Sequence, residues 1–460
     1  MSEKTLFSDF QPISTKQWKQ QIQFDLKGAD YNDTLVWESP EGIKVKPFYN
    51  LDDIVNSNCE VITKASEFKI IQNIFVHDIY KSNKRAIDTL NRGANSIQFT
   101  IENDNVSLDE LMKDLPLLNV IYYFNLSFLS IDFVTIINNY AILNDANFFI
   151  QNDPIHHFVT NGNWYENQEK DFKKLNTIHS VALQESTKTS FLSCKATVYQ
   201  NAGATIAQQL AYTLAHVNEY FNNITNINKP ILIEIAVGTN YFFEIAKIRA
   251  LRQLFTTLAT EYNHNFDCHI TATPTKRNKT IYDYNTNMLR TTTECMSAIL
   301  GGANGITNVA YDNLYHKDNE FGDRIARNQL LILKEESYFD KVNNPADGAY
   351  YIESLTNQLA EKALQLFKEI ELKGGFIAQL TDGTIQKKIH ESAQKEQNLF
   401  DSGNEILLGT NKYPNKNDRM KADLELYPFV KHNARKTSIM PITEKRLSEK
   451  IEQDRLAQES

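Results

Sequence analysis

The chain has 460 residues and a net charge of −9; 42% of its residues are hydrophobic and 11% are aromatic. These proportions are typical of a folded globular protein and exclude an intrinsically disordered one. An acidic chain with scattered lysines and arginines is also a poor candidate for non-specific nucleic-acid binding, which requires a basic surface.

The cellular location is predicted from the first residues and from the most apolar region. Residues 1–10 lack the apolar stretch of a signal peptide. The most apolar region, 119–143, carries Asp132 near its middle, where a membrane span tolerates a carboxylate poorly, so we expect a strand and a helix there. We therefore predict a cytoplasmic protein without membrane contact. Its cysteines form no close pair, which predicts reduced thiols and neither a disulfide framework nor a metal site: Cys59, Cys194, Cys268 and Cys295.

The first predicted element is an amphipathic helix. Ser14 can cap its amino end and Gly28 can end it. Apolar residues recur every four positions, which places Trp18, Ile22 and Leu26 on one face. Such a face must pack on the rest of this chain or on a partner, so we predict an N-terminal helical arm over residues 1–35.

From about residue 88 the chain alternates strand-like and helix-like segments. Seven strands are predicted, at 96–101, 120–129, 146–153, 191–199, 231–238, 268–275 and 304–311. An eighth is predicted at 348–355, before a long helical segment. This order favours an α/β fold, a (β/α)8 TIM barrel over residues 36–390, followed by a polar and helical tail over 391–460. A doubly wound sheet is the alternative, but it needs a glycine-rich phosphate loop that the sequence lacks.

The predicted strands carry many aromatic residues. Side chains alternate between the two faces of a strand, so some of these rings must point into the barrel. We expect a largely filled lumen without a continuous channel. The rings in question are Phe99, Tyr122, Tyr123, Phe124, Phe148 and Phe149.

Amides and hydroxyls follow the predicted strands at their carboxyl ends, where barrel enzymes hold their sites. These groups bind polar ligands but make poor general acids or bases. Asp153, which precedes a proline, is explained as well by holding a turn as by touching a ligand. Gln151, Thr197, Tyr199 and Thr273 form this polar rim, which the family resemblance described below implies to be a degenerate substrate pocket without a catalytic residue.

Other titratable residues near these strand ends have simpler explanations than catalysis. His156 and His157 lack the spacing of a metal site and are expected to be a surface pair. Lys195 alternates with small apolar neighbours in a predicted strand, so its ammonium needs a partner that the sequence does not identify. Arg249 and Arg252 lie on a predicted outer helix, where ion pairs are expected.

Six segments, in order along the chain, resemble the methylmalonyl-CoA mutase family, and within it the small (β) subunits. One of them is "QNAGATIAQQLAYTLAHVNEY". They span most of the chain and are specific as a set: 200–220, 240–254, 288–306, 323–337, 344–356 and 409–415.

The resemblance implies a TIM barrel that, in catalytic subunits, encloses an acyl-CoA along its axis. It also implies a separate C-terminal domain in those subunits that holds adenosylcobalamin through the histidine of an Asp-x-His-x-x-Gly motif. Such enzymes interconvert methylmalonyl-CoA and succinyl-CoA by a radical rearrangement, a step of propionate metabolism.

The catalytic positions of that family are changed in this sequence. Val198 stands where catalytic subunits have a histidine, Thr197 where they have a tyrosine, and Asn161 where an arginine holds the substrate carboxylate. The strand at 269–277 loses a further histidine and a glutamine, and only Gln151 is retained. Losing an arginine–carboxylate pair together with two histidines indicates an emptied site.

The cobalamin motif has only a chance counterpart here. Residues 267–272 match it except for Ala272 in place of glycine, but they lie on a predicted barrel strand. We therefore expect no cobalamin-binding domain in this chain.

The resemblance implies the small, non-catalytic subunit of a heterodimeric mutase, whose large subunit binds adenosylcobalamin. Two alternatives stay open. One is a catalytic barrel working with a separate cobalamin-binding chain, and the other is a barrel repurposed for another acyl-CoA-like ligand.

Overall fold

The structure, a computed structural model, describes residues 9–11, 13–54, 61, 63–183, 188–431 and 434–459. This part of the chain contains ten β-strands. They are β1 Trp37–Glu38, β2 Lys44–Val45, β3 Lys69–Phe75, β4 Ser96–Ile101, β5 Ile121–Leu126, β6 Asn147–Gln151, β7 Ser193–Lys195, β8 Leu232–Val237, β9 His269–Pro274 and β10 Gly305–Thr307.

Sixteen α-helices lie within the same described ranges. They are α1 Thr15–Asp25, α2 Tyr31–Leu35, α3 Ile79–Asn91, α4 Leu108–Leu111, α5 Ile131–Leu143, α6 Pro154–Asn161, α7 Gln168–Leu183, α8 Thr197–Asn201, α9 Ile206–Asn223, α10 Tyr241–Glu261, α11 Thr286–Leu300, α12 Glu320–Leu331, α13 Tyr350–Leu372, α14 Phe376–Thr381, α15 Thr384–Asp401 and α16 Glu449–Gln458. No helix among these residues is both long and apolar enough to cross a bilayer.

Eight parallel strands form the barrel. Their order is β6-β5-β4-β3-β10-β9-β8-β7. A parallel bridge between Phe149 on β6 and Ser190, just before β7, joins the two outer strands, so the sheet is nearly closed. Helices alternate with the strands along the chain and cover the outer face, as expected for parallel strands. The predicted TIM barrel is confirmed.

The position of one barrel strand differs from the prediction. The chain at 348–355 is not a strand, because Tyr350 begins the 23-residue helix α13. Its buried residues Ile352, Leu355 and Leu359 recur at helical spacing, which a strand could not bury on one side. The remaining strand is β3, an apolar run that lies ahead of residue 88, where the predicted alternation began.

The predicted strand at 191–199 is also shorter in the structure. Only Ser193–Lys195 pairs with β8, and Thr197–Asn201 forms the short helix α8. The side chain of Asn201 explains the turn, because its Oδ1 accepts a hydrogen bond from the Thr275 hydroxyl at 2.8 Å and its Nδ2 donates to Glu444 at 2.9 Å. Both partners lie above the ends of the strands, where a continued strand could not reach them.

An apolar layer crosses the interior of the barrel. It consists of Ile71, Tyr123, Phe149, Leu232 and His269, which we call the lumen plug. The Tyr123 hydroxyl lies 2.8 Å from Nε2 of His269, and the rings of Phe149 and His269 stack with centroids 4.2 Å apart. The other four aromatic residues of the predicted set pack between the sheet and the helices: Phe99, Tyr122, Phe124 and Phe148.

The N-terminal helix α1 lies against the surface without burying any of its residues. The Ser14 side chain caps it, as predicted, and Asn50 donates a hydrogen bond of 2.6 Å to Thr15. The Trp18 ring makes an edge contact with Phe48 but stays 50% exposed, and Phe24 is 79% exposed. The apolar face of α1 therefore has only a small contact within the described part of the chain.

Residues 434–459, which we call the closing segment, return across the mouth of the barrel. The backbone N–H groups of Ile442 and Leu447 donate to the carbonyls of Val159 (2.9 Å) and Arg277 (3.0 Å). An ion pair of 2.6 Å joins Arg446 to Glu452, both almost fully buried. Because α15 runs continuously through position 390, the division into barrel and tail at that residue stays a prediction.

Candidate functional site

The carboxyl ends of β5 to β8 surround a cavity of about 300 Å³. Of the four predicted pocket residues, Gln151 alone lines it. The lining residues are Asn125, Leu126, Ser127, Gln151, Asp153, His156, His157, Thr160, Tyr165, Ser193, Cys194, Lys195, Leu232 and Glu234.

A polar layer of the barrel forms the floor of this cavity, one step above the lumen plug. The strand register places Asn125 beside Gln151, and it places Lys195, Glu234 and Thr271 side by side. Alternation along each strand brings these residues to the same face as the plug. The plug thus separates the polar cavity from the lower end of the barrel.

Lys195 contributes its backbone to the turn and its side chain to the cavity. Its N–H donates to Oδ2 of Asp153 at 2.6 Å, and its carbonyl lies 2.9 Å from Nδ1 of His156. The sequence predicted a partner for the ammonium. Within the described ranges no residue hydrogen-bonds or pairs with it, so its charge faces the cavity.

Asp153 is the centre of the turn between β6 and α6. Besides the Lys195 N–H, it accepts hydrogen bonds from the His156 N–H (2.7 Å) and the Tyr220 hydroxyl (2.6 Å). Nε2 of His216 lies 2.9 Å from Oδ1. Burial alone would raise the pKa of the Asp153 carboxyl, but His216, His156 and Tyr220 outweigh burial and hold that pKa well below its usual range. Asp153 is therefore a charged structural anchor that is unsuited to proton transfer near neutrality.

The two adjacent histidines line the cavity instead of forming a surface pair. Burial, and then the charge of Lys195, lower the pKa of His156 to about 4, so its ring is neutral at pH 7. Its Nδ1 donates to the Lys195 carbonyl, which leaves Nε2 as an acceptor. The His157 ring stacks on Tyr165 with centroids 3.8 Å apart. Within the described ranges, no group of histidine, cysteine or carboxylate side chains could hold a metal ion.

The other predicted pocket residues lie elsewhere. Thr197 and Tyr199 are buried on α8, and the Tyr199 hydroxyl lies 3.0 Å from Nδ1 of His216 in the helix layer. Thr273 is partly buried on β9 and does not line the cavity. The pocket that includes these three residues stays a prediction.

The positions aligned with catalytic residues also lie away from the cavity. Val198 is 1% exposed in the apolar core, and Asn161 is the last residue of α6, where its carbonyl accepts a hydrogen bond from Arg435. The outer-helix arginines form ion pairs as predicted: Arg249 pairs with Asp347 and Glu353, and Arg252 with Asp267.

The histidine of the cobalamin-like segment 267–272 does not fit a role as a cobalt ligand. His269 lies inside the barrel, where its ring stacks on Phe149 and its Nε2 contacts the Tyr123 hydroxyl. Burial, followed by the charges of Arg252 and Lys69, lowers its pKa to about 3. A corrin ring could not reach a histidine whose ring is held inside the barrel by Phe149 and Tyr123.

Sequence reasoning missed several residues of this region, among them Glu234 and His216. Glu234, which lines the cavity, is the only charged residue in the apolar segment "ILIEIAVG", and that isolation was the available signal. His216, which contacts Asp153, lies on the predicted apolar helix α9, four residues before Tyr220. Its contact with Asp153 spans 63 positions, and no local pattern predicts such a contact.

Comparison with known proteins places this barrel in a family. The sequence profile of methylmalonyl-CoA mutase matches residues 126–458. The chain is 34% identical to the methylmalonyl-CoA mutase small subunit of Porphyromonas gingivalis, over 90% of this chain and 72% of that protein. It is 27% identical to the methylmalonyl-CoA mutase of Rhizobium meliloti, over 98% of this chain and 70% of that protein. It is 26% identical to the mitochondrial methylmalonyl-CoA mutase of Homo sapiens, over 89% of this chain and 62% of that protein. The chain belongs to the methylmalonyl-CoA mutase family.

Proposed function

We propose that this chain is the small, non-catalytic subunit of a heterodimeric, adenosylcobalamin-dependent methylmalonyl-CoA mutase. In this proposal a large subunit interconverts methylmalonyl-CoA and succinyl-CoA, and this chain stabilises it in the cytoplasm. One observation carries the proposal: among the residues that the structure describes, no arginine lines the cavity at the barrel mouth, and Val198 and Asn161 lie outside that cavity.

The chemistry of substrate binding supports this conclusion. An arginine binds a carboxylate through two parallel hydrogen bonds, and neither an amide nor a valine can replace both its charge and its fork. The lumen plug also occupies the axis along which an extended acyl-CoA would lie. A cavity of about 300 Å³ above the plug is small for a molecule that carries a nucleotide.

The proposal assigns adenosylcobalamin to the large subunit. That cofactor supplies the radical when it is bound. The one histidine in this chain within a cobalamin-like segment is His269, and it is enclosed in the lumen plug. This position inside the barrel supports a cofactor site on the partner.

Helix α1 is the surface that we assign to the large subunit. It buries none of its residues on this chain, and its apolar face, formed by Trp18, Ile22 and Leu26, leaves the Trp18 ring 50% exposed. An exposed aromatic residue on an apolar helix face is typical of protein interfaces. In the assembled enzyme we expect this apolar face to be buried against the partner.

The test is co-expression with a large subunit of a heterodimeric mutase, followed by size-exclusion chromatography and an assay of succinyl-CoA formation with adenosylcobalamin. We expect one heterodimer peak, activity of the complex and no activity of this chain alone. Turnover by this chain alone, or with a separate cobalamin-binding chain only, would contradict the non-catalytic role and favour a catalytic barrel.

A variant tests the interface. Trp18→Ser combined with Ile22→Ser removes two apolar side chains from one face of α1 and is expected to weaken the heterodimer at least about tenfold. Leu143→Ser combined with Leu372→Ser is the matched control, because these side chains are 84% and 86% exposed on other helices. Equal affinity of the two double variants would show that α1 is not the interface.

A further inference from the structure

Two opposite charges line the cavity without pairing with each other. Lys195 and Glu234 are register neighbours on β7 and β8. None of the described residues lies within ion-pair distance of the Lys195 ammonium. Oε2 of Glu234 accepts one hydrogen bond, of 3.3 Å, from Nε2 of Gln151. Charges held partly out of water are costly unless a partner of opposite sign compensates them.

Polar atoms without partners surround these charges. Gln151 is 5% exposed and Ser193 is 2% exposed, and both line the cavity. Oε1 of Gln151 and Oγ of Ser193 have no hydrogen-bond partner within the described ranges. Nearly all buried polar atoms in folded proteins have a partner, so these two atoms and the charge beside them are available to bind a polar ligand.

The arrangement of donors and acceptors defines the ligand. The Lys195 ammonium requires an anion. Glu234 and Oε1 of Gln151 require N–H donors, and an ammonium group supplies three of them. Asp153 does not compete for that cation, because it already accepts three hydrogen bonds and contacts His216.

The size and the opening of the cavity restrict the ligand further. About 300 Å³ is at the lower end of the range for ligand sites, which suits a molecule of a few carbon atoms. Ser127, which lines the cavity, is exposed, so the cavity opens to solvent on that side.

We propose that this cavity binds a small aliphatic amino carboxylate, with its carboxylate on Lys195 and its ammonium on Glu234 and Gln151. The site goes beyond the structural role proposed above, and it does not depend on the partner subunit. The activity of the heterodimer and the occupancy of this cavity can therefore be tested separately.

The experiment is isothermal titration calorimetry on the full-length chain with three zwitterions of increasing length, glycine, β-alanine and 4-aminobutyrate. Butyrate and butylammonium are the single-charge controls. We expect one zwitterion to bind with a Kd below about 1 mM and both controls to bind at least about tenfold more weakly. Lys195→Met and Glu234→Gln should each weaken that zwitterion at least about tenfold. Lys170→Met, at an exposed ion pair on α7, should leave binding unchanged.

Several results would overturn the proposal. The first is that none of the three zwitterions shows saturable binding at concentrations up to about tenfold the expected Kd. The second is that butyrate binds as tightly as the zwitterions. The third is that the Lys195→Met variant binds a zwitterion with wild-type affinity. Circular dichroism checks that each variant is folded. If one variant does not fold, the other variant and the comparison of zwitterions with single-charge controls on the wild-type chain still decide the question.

Discussion

Replacing Asp153 by asparagine tests whether this carboxylate anchors the barrel mouth. The side chain is 6% exposed and accepts hydrogen bonds from two backbone N–H groups and from the Tyr220 hydroxyl, with His216 at 2.9 Å. Asparagine keeps one acceptor oxygen but turns an amide donor towards at least one N–H. Leaving a buried donor unsatisfied costs about 1–3 kcal/mol, and losing the charge from a buried network adds to this. We expect the free energy of unfolding to fall by about 3–5 kcal/mol.

The assay is urea unfolding of the purified chain, followed by far-UV circular dichroism. Asp78→Asn is the matched control, because Asp78 caps α3 through one hydrogen bond to the Lys81 N–H and asparagine caps a helix equally well. Because the pKa of Asp153 is lower in the folded chain than its ordinary value of 3.8, the ionised carboxylate stabilises the folded state at pH values above 3.8. This contribution is lost as the pH falls below that value. The difference between wild type and Asp153→Asn should therefore be constant from pH 5 to 7 and shrink below about pH 4. The anchoring role would be refuted if Asp153→Asn lowered the free energy of unfolding by less than about 1 kcal/mol while the slope of that free energy against urea concentration stayed unchanged.

Two further predictions concern the interior. The pKa of His269 is lowered from its ordinary value of 6.5 to about 3. Between these two pH values the histidine binds a proton in the unfolded chain but not in the folded chain. The folded state therefore loses stability as the pH falls. We expect the free energy of unfolding of His269→Gln, measured with urea from pH 5 to 7, to depend less steeply on pH than that of the wild type, by about 1 kcal/mol per pH unit. An equal pH dependence of the two proteins would contradict the burial argument. Gly302 has φ +88° and a Cβ there would collide with Thr63, whereas Gly348, with φ +74°, has open space around it. Gly302→Ala should therefore lower the thermal midpoint clearly more than Gly348→Ala, and equal midpoints would show that Thr63 can move aside.

Much of the barrel could be predicted because its strands and helices have different periods. The strand at 231–238 is an apolar run, and the helix after it repeats its apolar residues every three to four positions. The strand predicted at 348–355 failed because a short apolar run fits a strand as well as the first turns of a buried helix. Tertiary packing decided between the two.

The candidate site was harder to predict because its contacts are distant in the sequence. Gln151 was found from its place at the end of a strand. Tyr199 was assigned to the same rim, but the chain turns into α8 and carries it into the helix layer, where it meets His216. The position of Lys195 in a strand predicted that its charge needs compensation, and sequence alone could not tell whether protein or ligand provides it.

The closing segment links completion of the barrel to the order of protein synthesis. The carbonyls of Val159 and Arg277 accept hydrogen bonds from the N–H groups of Ile442 and Leu447. During synthesis, both acceptors leave the ribosome long before their donors. The Arg277 side chain also donates a hydrogen bond to the carbonyl of Lys445, which is synthesised 168 positions later. Domains begin to fold from the amino end during synthesis, so a nascent chain can hold most of its barrel while the mouth is still uncovered. A chain that stops before residue 434 therefore exposes unpaired polar groups around an otherwise folded barrel. Such a chain is a target for the chaperones and proteases that act on incompletely folded proteins.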